Sequence, residues 1–210
     1  MISVFPTSYF GNMSYYSSIL KNEKIILEAK ENFIKQTFRN RCEILTGNGI
    51  QQLSIPVIRK NGSKTRIDEV EISYDTDWRK DHWKAIESAY SNSPYFDHYG
   101  SEVKELIYFN ESNLLRFNEN IHNRICKWLG IDIPFSYSSE YLAINSLNSY
   151  NFEINPNLNK YIQVFENRSS FEPNISIIDA VFCLGPMARV QIINNWTLIL
   201  SKVLDLNSTH

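Results

Sequence analysis

The chain has 210 residues, 43% of them hydrophobic and 13% aromatic, with 21 basic against 23 acidic side chains and a formal net charge of -2. That apolar content is enough to bury roughly 70% of the unfolded surface and excludes global disorder. The balanced charge, with no block of five like charges, gives no electrostatic footprint for nucleic acid or a membrane surface.

Ile2-Ser-Val-Phe5, ending at Pro6, predicts a first strand. Tyr15, Tyr16, Ile19 and Leu20 fall at helical spacing and predict a helix over about 13–21. Ile25–Ala29, Gln51–Ile58 and Val70–Tyr74 read as further strands, and the turn chemistry of Lys60-Asn-Gly-Ser63 makes the last two neighbours in a sheet. Trp78, His82, Ile86 and Tyr90 lie about four apart on one helical face, with Asp75 or Asp77 as the cap. A long stripe from Val103 to Trp128 is broken in two near Asn110–Ser112, with Ser112 as a candidate cap, and is closed by Gly130. Residues 145–160 are Asn-rich and aperiodic and predict a long loop. Tyr161–Phe165 predicts a short strand. Ser176 caps a helix through Leu184 that Gly185-Pro186 stops, and the apolar tail from Val190 is expected to pack. The sum is an α/β fold, a mixed sheet of four to six short strands with surrounding helices. It forms one domain over 1–210, with 189–210 as a C-terminal extension.

Cys42, Cys126 and Cys183 are odd in number, far apart and outside any metal-binding spacing, which fits a reduced compartment and argues against zinc. No basic and apolar leader is visible, and no apolar run approaches the ~18 residues of a membrane span. A cytoplasmic protein with no membrane insertion is expected. Phosphate loops and paired-histidine spacings are absent, so neither cofactor nor metal is expected.

Four constellations carry chemistry. Lys35, Arg39, Asn40 and Arg41 sit together before a strand-like run. Guanidiniums fork onto carboxylate or phosphate, so the cluster reads either as an anion clamp or as a charged helix end paired with Glu28 or Glu31. His82 lies on an apolar helical face, as a general base or as a half-buried ring satisfied by one hydrogen bond. Asp179 stands inside Ile175-Ser-Ile-Ile-Asp-Ala-Val-Phe, either as an acid/base or as the partner of a buried arginine. Gln163 raises the same question within its strand. Cys183 reads as a small buried hydrophobe.

Tyr9-Phe10, Glu28-Ala29, Gln36-Thr-Phe-Arg-Asn-Arg41, Leu53-Ser-Ile-Pro-Val57, Trp83-Lys-Ala-Ile-Glu-Ser-Ala-Tyr90 with Ser93-Pro-Tyr-Phe96, and Asn174-Ile-Ser-Ile-Ile-Asp179 with Gly185-Pro together resemble the WbqC-like proteins over about residues 2–188. The resemblance implies a bacterial, cytoplasmic protein tied to cell-surface polysaccharide of the O-antigen type. It also implies a possible transferase passing an acyl or aminoacyl group to an amino sugar. Where many members carry a His-Gln-Pro turn, this chain reads Pro6-Thr-Ser8. Two readings follow. In one, Lys35, Arg39, Asn40 and Arg41 hold a phosphorylated or nucleotide-linked sugar, Tyr9, Trp83 and Gln163 line the site, and His82 and Asp179 are catalytic. In the other, the same residues form a non-catalytic ligand-binding or scaffold protein of envelope assembly.

Overall fold

The computed structural model describes residues 2–142, 160–165 and 170–193. Its order begins β1 (Ile2–Phe5), α1 (Met13–Ile19), β2 (Lys24–Leu27), β3 (Arg41–Thr46), β4 (Gly49–Ser54), β5 (Val57–Ile58) and β6 (Glu71–Ile72). Then come α2 (Trp78–Tyr90), α3 (Phe96–Tyr108), α4 (Leu114–Trp128), β7 (Phe135–Tyr137) and α5 (Ile177–Leu184). The class is α/β, as the periodicities predict. The strands are divided among three small sheets rather than gathered in one: parallel β1-β2-β7, and the antiparallel pairs β3-β4 and β5-β6.

In the parallel sheet β2 is central, with Ile2 opposite Lys24 and Ile25 opposite Phe135. The strand predicted over Gln51–Ile58 is cut at Pro56, which has no N–H to give a ladder. The residues before it pair with β3 as β4, and those after it pair with β6 as β5, so the neighbour relation drawn from the Lys60–Ser63 turn holds. β3 and β7 were not predicted. Tyr161–Phe165 is not a strand: the Gln163 amide bonds the backbone of Glu172 on both sides (2.9 and 3.1 Å) in place of a ladder.

The helices form where the apolar stripes predict them, although Asp77, the N-cap residue of α2, makes no capping hydrogen bond with its side chain. On α2, Trp78, His82, Ile86 and Tyr90 are all buried. The stripe breaks as expected, but Asn113 rather than Ser112 caps α4, its Oδ1 accepting from Arg116 N–H at 3.1 Å. Gly130 follows with φ +59°. Ser176 caps α5, which is apolar nearly all round and buried among the other elements. Side chains from β1, β2, β3, all five helices and the loops between them form one apolar cluster. The expected loop lies outside the described residues except at Lys160, as does the tail beyond 193.

Candidate functional site

The loop before β3 brings Arg39 fully inside, at 0% exposure. Its Nε donates to Glu31 Oε1 at 2.6 Å, its second terminal nitrogen pairs with Glu31 Oε2, and Thr37 Oγ1 accepts at 3.3 Å. Of the two acidic partners considered, Glu31 holds the arginine. Burial pushes the Glu31 carboxyl up and the Arg39 charge pulls it back. A buried pair of this kind fixes a loop more surely than it adds net stability. Glu28 has a different task at the carboxyl edge of the parallel sheet. Its carboxylate accepts from Ser138 Oγ at 2.8 Å and Leu142 N–H at 2.8 Å, stitching the ends of β2 and β7.

Among the described residues, Asn40 Oδ1, Arg41 Nε and Asn118 Oδ1 are buried without a hydrogen-bond partner. The other ends of both amides are fixed, Asn40 Nδ2 on Ile55 O at 2.8 Å and Asn118 Nδ2 on Arg39 O at 2.7 Å. Unpaired buried groups are few in folded proteins, and each asks for a ligand or an ordered water. Arg41 is the first residue of β3 and lies opposite Ser54.

Ser54 also leads to His82. The His82 Nδ1 lies 2.9 Å from the Tyr9 hydroxyl, and the Ser54 backbone also acts on the ring, favouring its charged form. Burial lowers its pKa to about 4, against the opposing pull of that backbone and of Asp81. Near neutral pH the ring is therefore uncharged, with Nδ1 engaged by Tyr9. Tyr9 is buried, is anchored by its N–H to Phe38 O at 2.9 Å, and packs on Phe10 and Phe117. Tyr9, Arg39, Asn40, Arg41 and His82 are thus connected at the base of the β3–β4 hairpin.

Asp179 and Gln163 come together elsewhere, beside Tyr90 at the opposite end of α2. The Tyr161 hydroxyl and the Gln163 Nε2 amide both donate to Asp179 Oδ2, at 2.5 and 2.9 Å, and the Tyr90 hydroxyl also faces the carboxylate. Burial raises the Asp179 pKa, with Tyr161, Gln163 and Tyr90 acting against it. His82 and Tyr90 are eight helical positions apart, a rise of about 12 Å. Two networks therefore share one helix. Asp179 has no arginine partner; its company is two tyrosines and an amide. Trp83 belongs to neither group: it stacks on Phe96 at 6.0 Å with Lys104 over its ring. Lys35 is exposed in the turn before Arg39.

Asn118 and Glu31 are the participants that the sequence reading passed over or left open. Asn118 interrupts the apolar stripe Leu114, Phe117, Ile121 of α4, the same signal that singled out His82. Among the described residues, no group of three or more His, Cys, Asp and Glu side chains is disposed to hold a metal ion. No helix among them is long and apolar enough to cross a membrane.

Comparison with known proteins adds family but no chemistry. The family model described as "WbqC-like protein family" matches residues 7–162. An uncharacterized protein of Mycobacterium tuberculosis, Rv1507c, is 26% identical over 221 residues, covering 89% of this chain and 95% of its own. No solved structure matches the chain.

Proposed function

Because the chain belongs to the WbqC-like protein family, we propose that it binds a phosphorylated or nucleotide-linked sugar at the base of the β3–β4 hairpin. We propose further that it is a cytoplasmic transferase of bacterial cell-surface polysaccharide assembly, passing an acyl or aminoacyl group to that sugar. One observation carries the binding step: the unpaired trio of Asn40 Oδ1, Arg41 Nε and Asn118 Oδ1. A guanidinium donor and two amide acceptors on neighbouring segments suit a ligand with an anionic oxygen and with hydroxyl or amino protons, and a sugar phosphate has both. Arg41 takes the role of anion holder that Arg39, committed to Glu31, does not fill.

A second reading, a ligand-binding or scaffold protein without chemistry, is favoured by His82. A buried ring whose Nδ1 is tied to Tyr9 and whose pKa is near 4 is a poor general base near neutral pH. In the transferase reading His82 acts only once Tyr9 gives way.

Thermal unfolding in the presence of UDP-glucose and of inorganic phosphate tests the binding step. At about 100 times Kd a native-state ligand adds about 2.7 kcal/mol, a rise of about 5 to 10 °C for a chain of this size. Arg41→Lys is expected to lose most of that rise, since an ammonium cannot reproduce the guanidinium fork. A melting temperature indifferent to both compounds defeats the proposal and leaves the scaffold reading.

A further inference from the structure

A cavity of about 500 Å³ opens where the β3–β4 turn meets the outward face of α2. It lies at the opposite end of the hairpin from Arg41. Five residue steps of about 3.3 Å separate Arg41 from Thr46, which lines the cavity, so the two places are roughly 16 Å apart. The volume falls within the range of small-molecule sites.

The lining is specific in kind. Asn48 and Gln51 come from the hairpin and Asp81, Lys84 and Ser88 from α2; none of these five side chains makes a hydrogen bond or ion pair with another described residue. The Phe165 ring forms one wall, close enough to Gly47 that a Cβ there would meet it at 3.5 Å. Ala85 and Ala89 are small enough to leave the space open.

The walls are held in place by the buried network behind them. Leu45 N–H donates to the Tyr90 hydroxyl at 3.2 Å, next to the wall residues Thr46 and Ala89. Gln163, two residues before Phe165, is fixed to Asp179. These ties fix the backbone of the walls, so the cavity keeps its shape without a ligand.

We propose that this cavity is a binding site for an uncharged pyranose ring, separate from the Arg41 site and independent of the function proposed above. Carboxamides and a hydroxyl each offer a donor and an acceptor, which a ring of hydroxyls can satisfy together. Asp81 and Lys84 cancel in charge, so no net field selects an anion or a cation. Phe165 supplies an apolar surface for the C–H face of the ring. A phosphate or nucleotide gains no net electrostatic attraction here, because Asp81 offsets Lys84.

The test is an amide-resolved NMR titration of the full chain with glucose and with N-acetylglucosamine, and inorganic phosphate as the anionic control. Saturable shifts at Gly47, Asn48 and Ser88 are expected for at least one sugar, with a Kd on the order of 1 mM. Ser88→Trp, an exposed change that fills the cavity, should abolish them. Asn48→Ala, which leaves the cavity open and the helix untouched, should weaken binding by about tenfold, and it decides the matter if Ser88→Trp does not fold. Arg41→Lys should leave the sugar response unchanged while losing any response to phosphate or UDP-glucose, so the two proposals can fail separately. Absence of saturable shifts with either sugar, shifts that persist in a folded Ser88→Trp or are undiminished in Asn48→Ala, or the same shifts with phosphate would overturn the assignment.

Discussion

Single residues in this protein are polar in places where packing alone asks for hydrocarbon, and each is handled differently. Arg39 is neutralised by Glu31, Glu28 is satisfied by neutral donors, and His82 is kept uncharged. His122 follows His82: it stacks on Tyr16 (5.9 Å, 12°), and burial lowers its pKa to about 4. The sign of the pH effect follows. Below about 6.5 the unfolded histidines take protons that the folded rings refuse. The stability they contribute is complete above that value and is lost as pH falls toward 4. Glu31 and Asp179, whose pKa values are raised, act in reverse: their contribution is present at low pH and is lost as pH rises through their folded values. The urea midpoint is expected to drop between pH 6.5 and 4.5. His122→Phe, which keeps a ring on Tyr16, should reduce the slope by about 1.4 kcal/mol per pH unit, one proton's worth. A midpoint that falls as steeply in the variant as in the wild type would show that His122 is not the group being titrated.

At the scale of elements, a residue that cannot be replaced marks where the chain is stopped or turned. Gly185 ends α5 with φ +55°, and a Cβ there would lie 2.5 Å from two carbons of the Tyr95 ring. The Tyr95 backbone is itself tied to α5, its N–H donating to Phe182 O at 3.0 Å, so relief has to come from the ring turning rather than the chain shifting. Gly62 has nearly the same φ, +57°, with nothing within 4 Å of an added Cβ. Gly62→Ala should therefore cost only the left-handed backbone penalty of about 1–2 kcal/mol. Gly185→Ala should cost more by about 1–3 kcal/mol of overpacking, seen as a clearly lower denaturation midpoint. Equal losses would mean that the Tyr95 contact yields freely. The helices are legible because the apolar stripes announce them, with a capping side chain at α1, α4 and α5. β3 is not, although its signal is present: Asn48-Gly49 is strong hairpin chemistry, and Gly47-Asn48 is the two-residue loop between paired Thr46 and Gly49. The basic cluster runs directly into the strand and masks its pattern, whose buried positions are Cys42, Ile44 and Leu45. β7, three residues long and a parallel partner of β2, has no local pattern that could announce it.

At the scale of the whole molecule, sequence alone marked which residues are anomalous but not which anomaly answers which. Asp179 and Gln163 were both singled out, and they do meet at 2.9 Å, yet nothing in their spacing promised it. Arg39 and Asp179 were equally plausible partners by charge and are bound to other groups. Such pairings depend on which segments pack together, and that is fixed by the summed burial of many apolar side chains rather than by any polar pair. The Asp179 network shows what the pairing then does. It joins residues 160–165 to α5 and lies against Tyr90 of α2, so one carboxylate ties three parts of the chain. Asp179→Ala leaves the Tyr161 hydroxyl and the Gln163 amide without their acceptor in a buried place, an expected loss of about 1–3 kcal/mol in chemical denaturation. It should also speed hydrogen exchange at the Glu172 amide, which bonds Gln163 Oε1 at 2.9 Å and is held only as firmly as that side chain. Asp179→Asn retains an acceptor oxygen for one of the two donors and no longer confines a charge, so its loss should be smaller than that of alanine. If alanine and asparagine behave alike and exchange at Glu172 is unchanged, residues 160–165 are held by the apolar contacts of Tyr161, Val164 and Phe165 instead, and the carboxylate is a passenger in the packing.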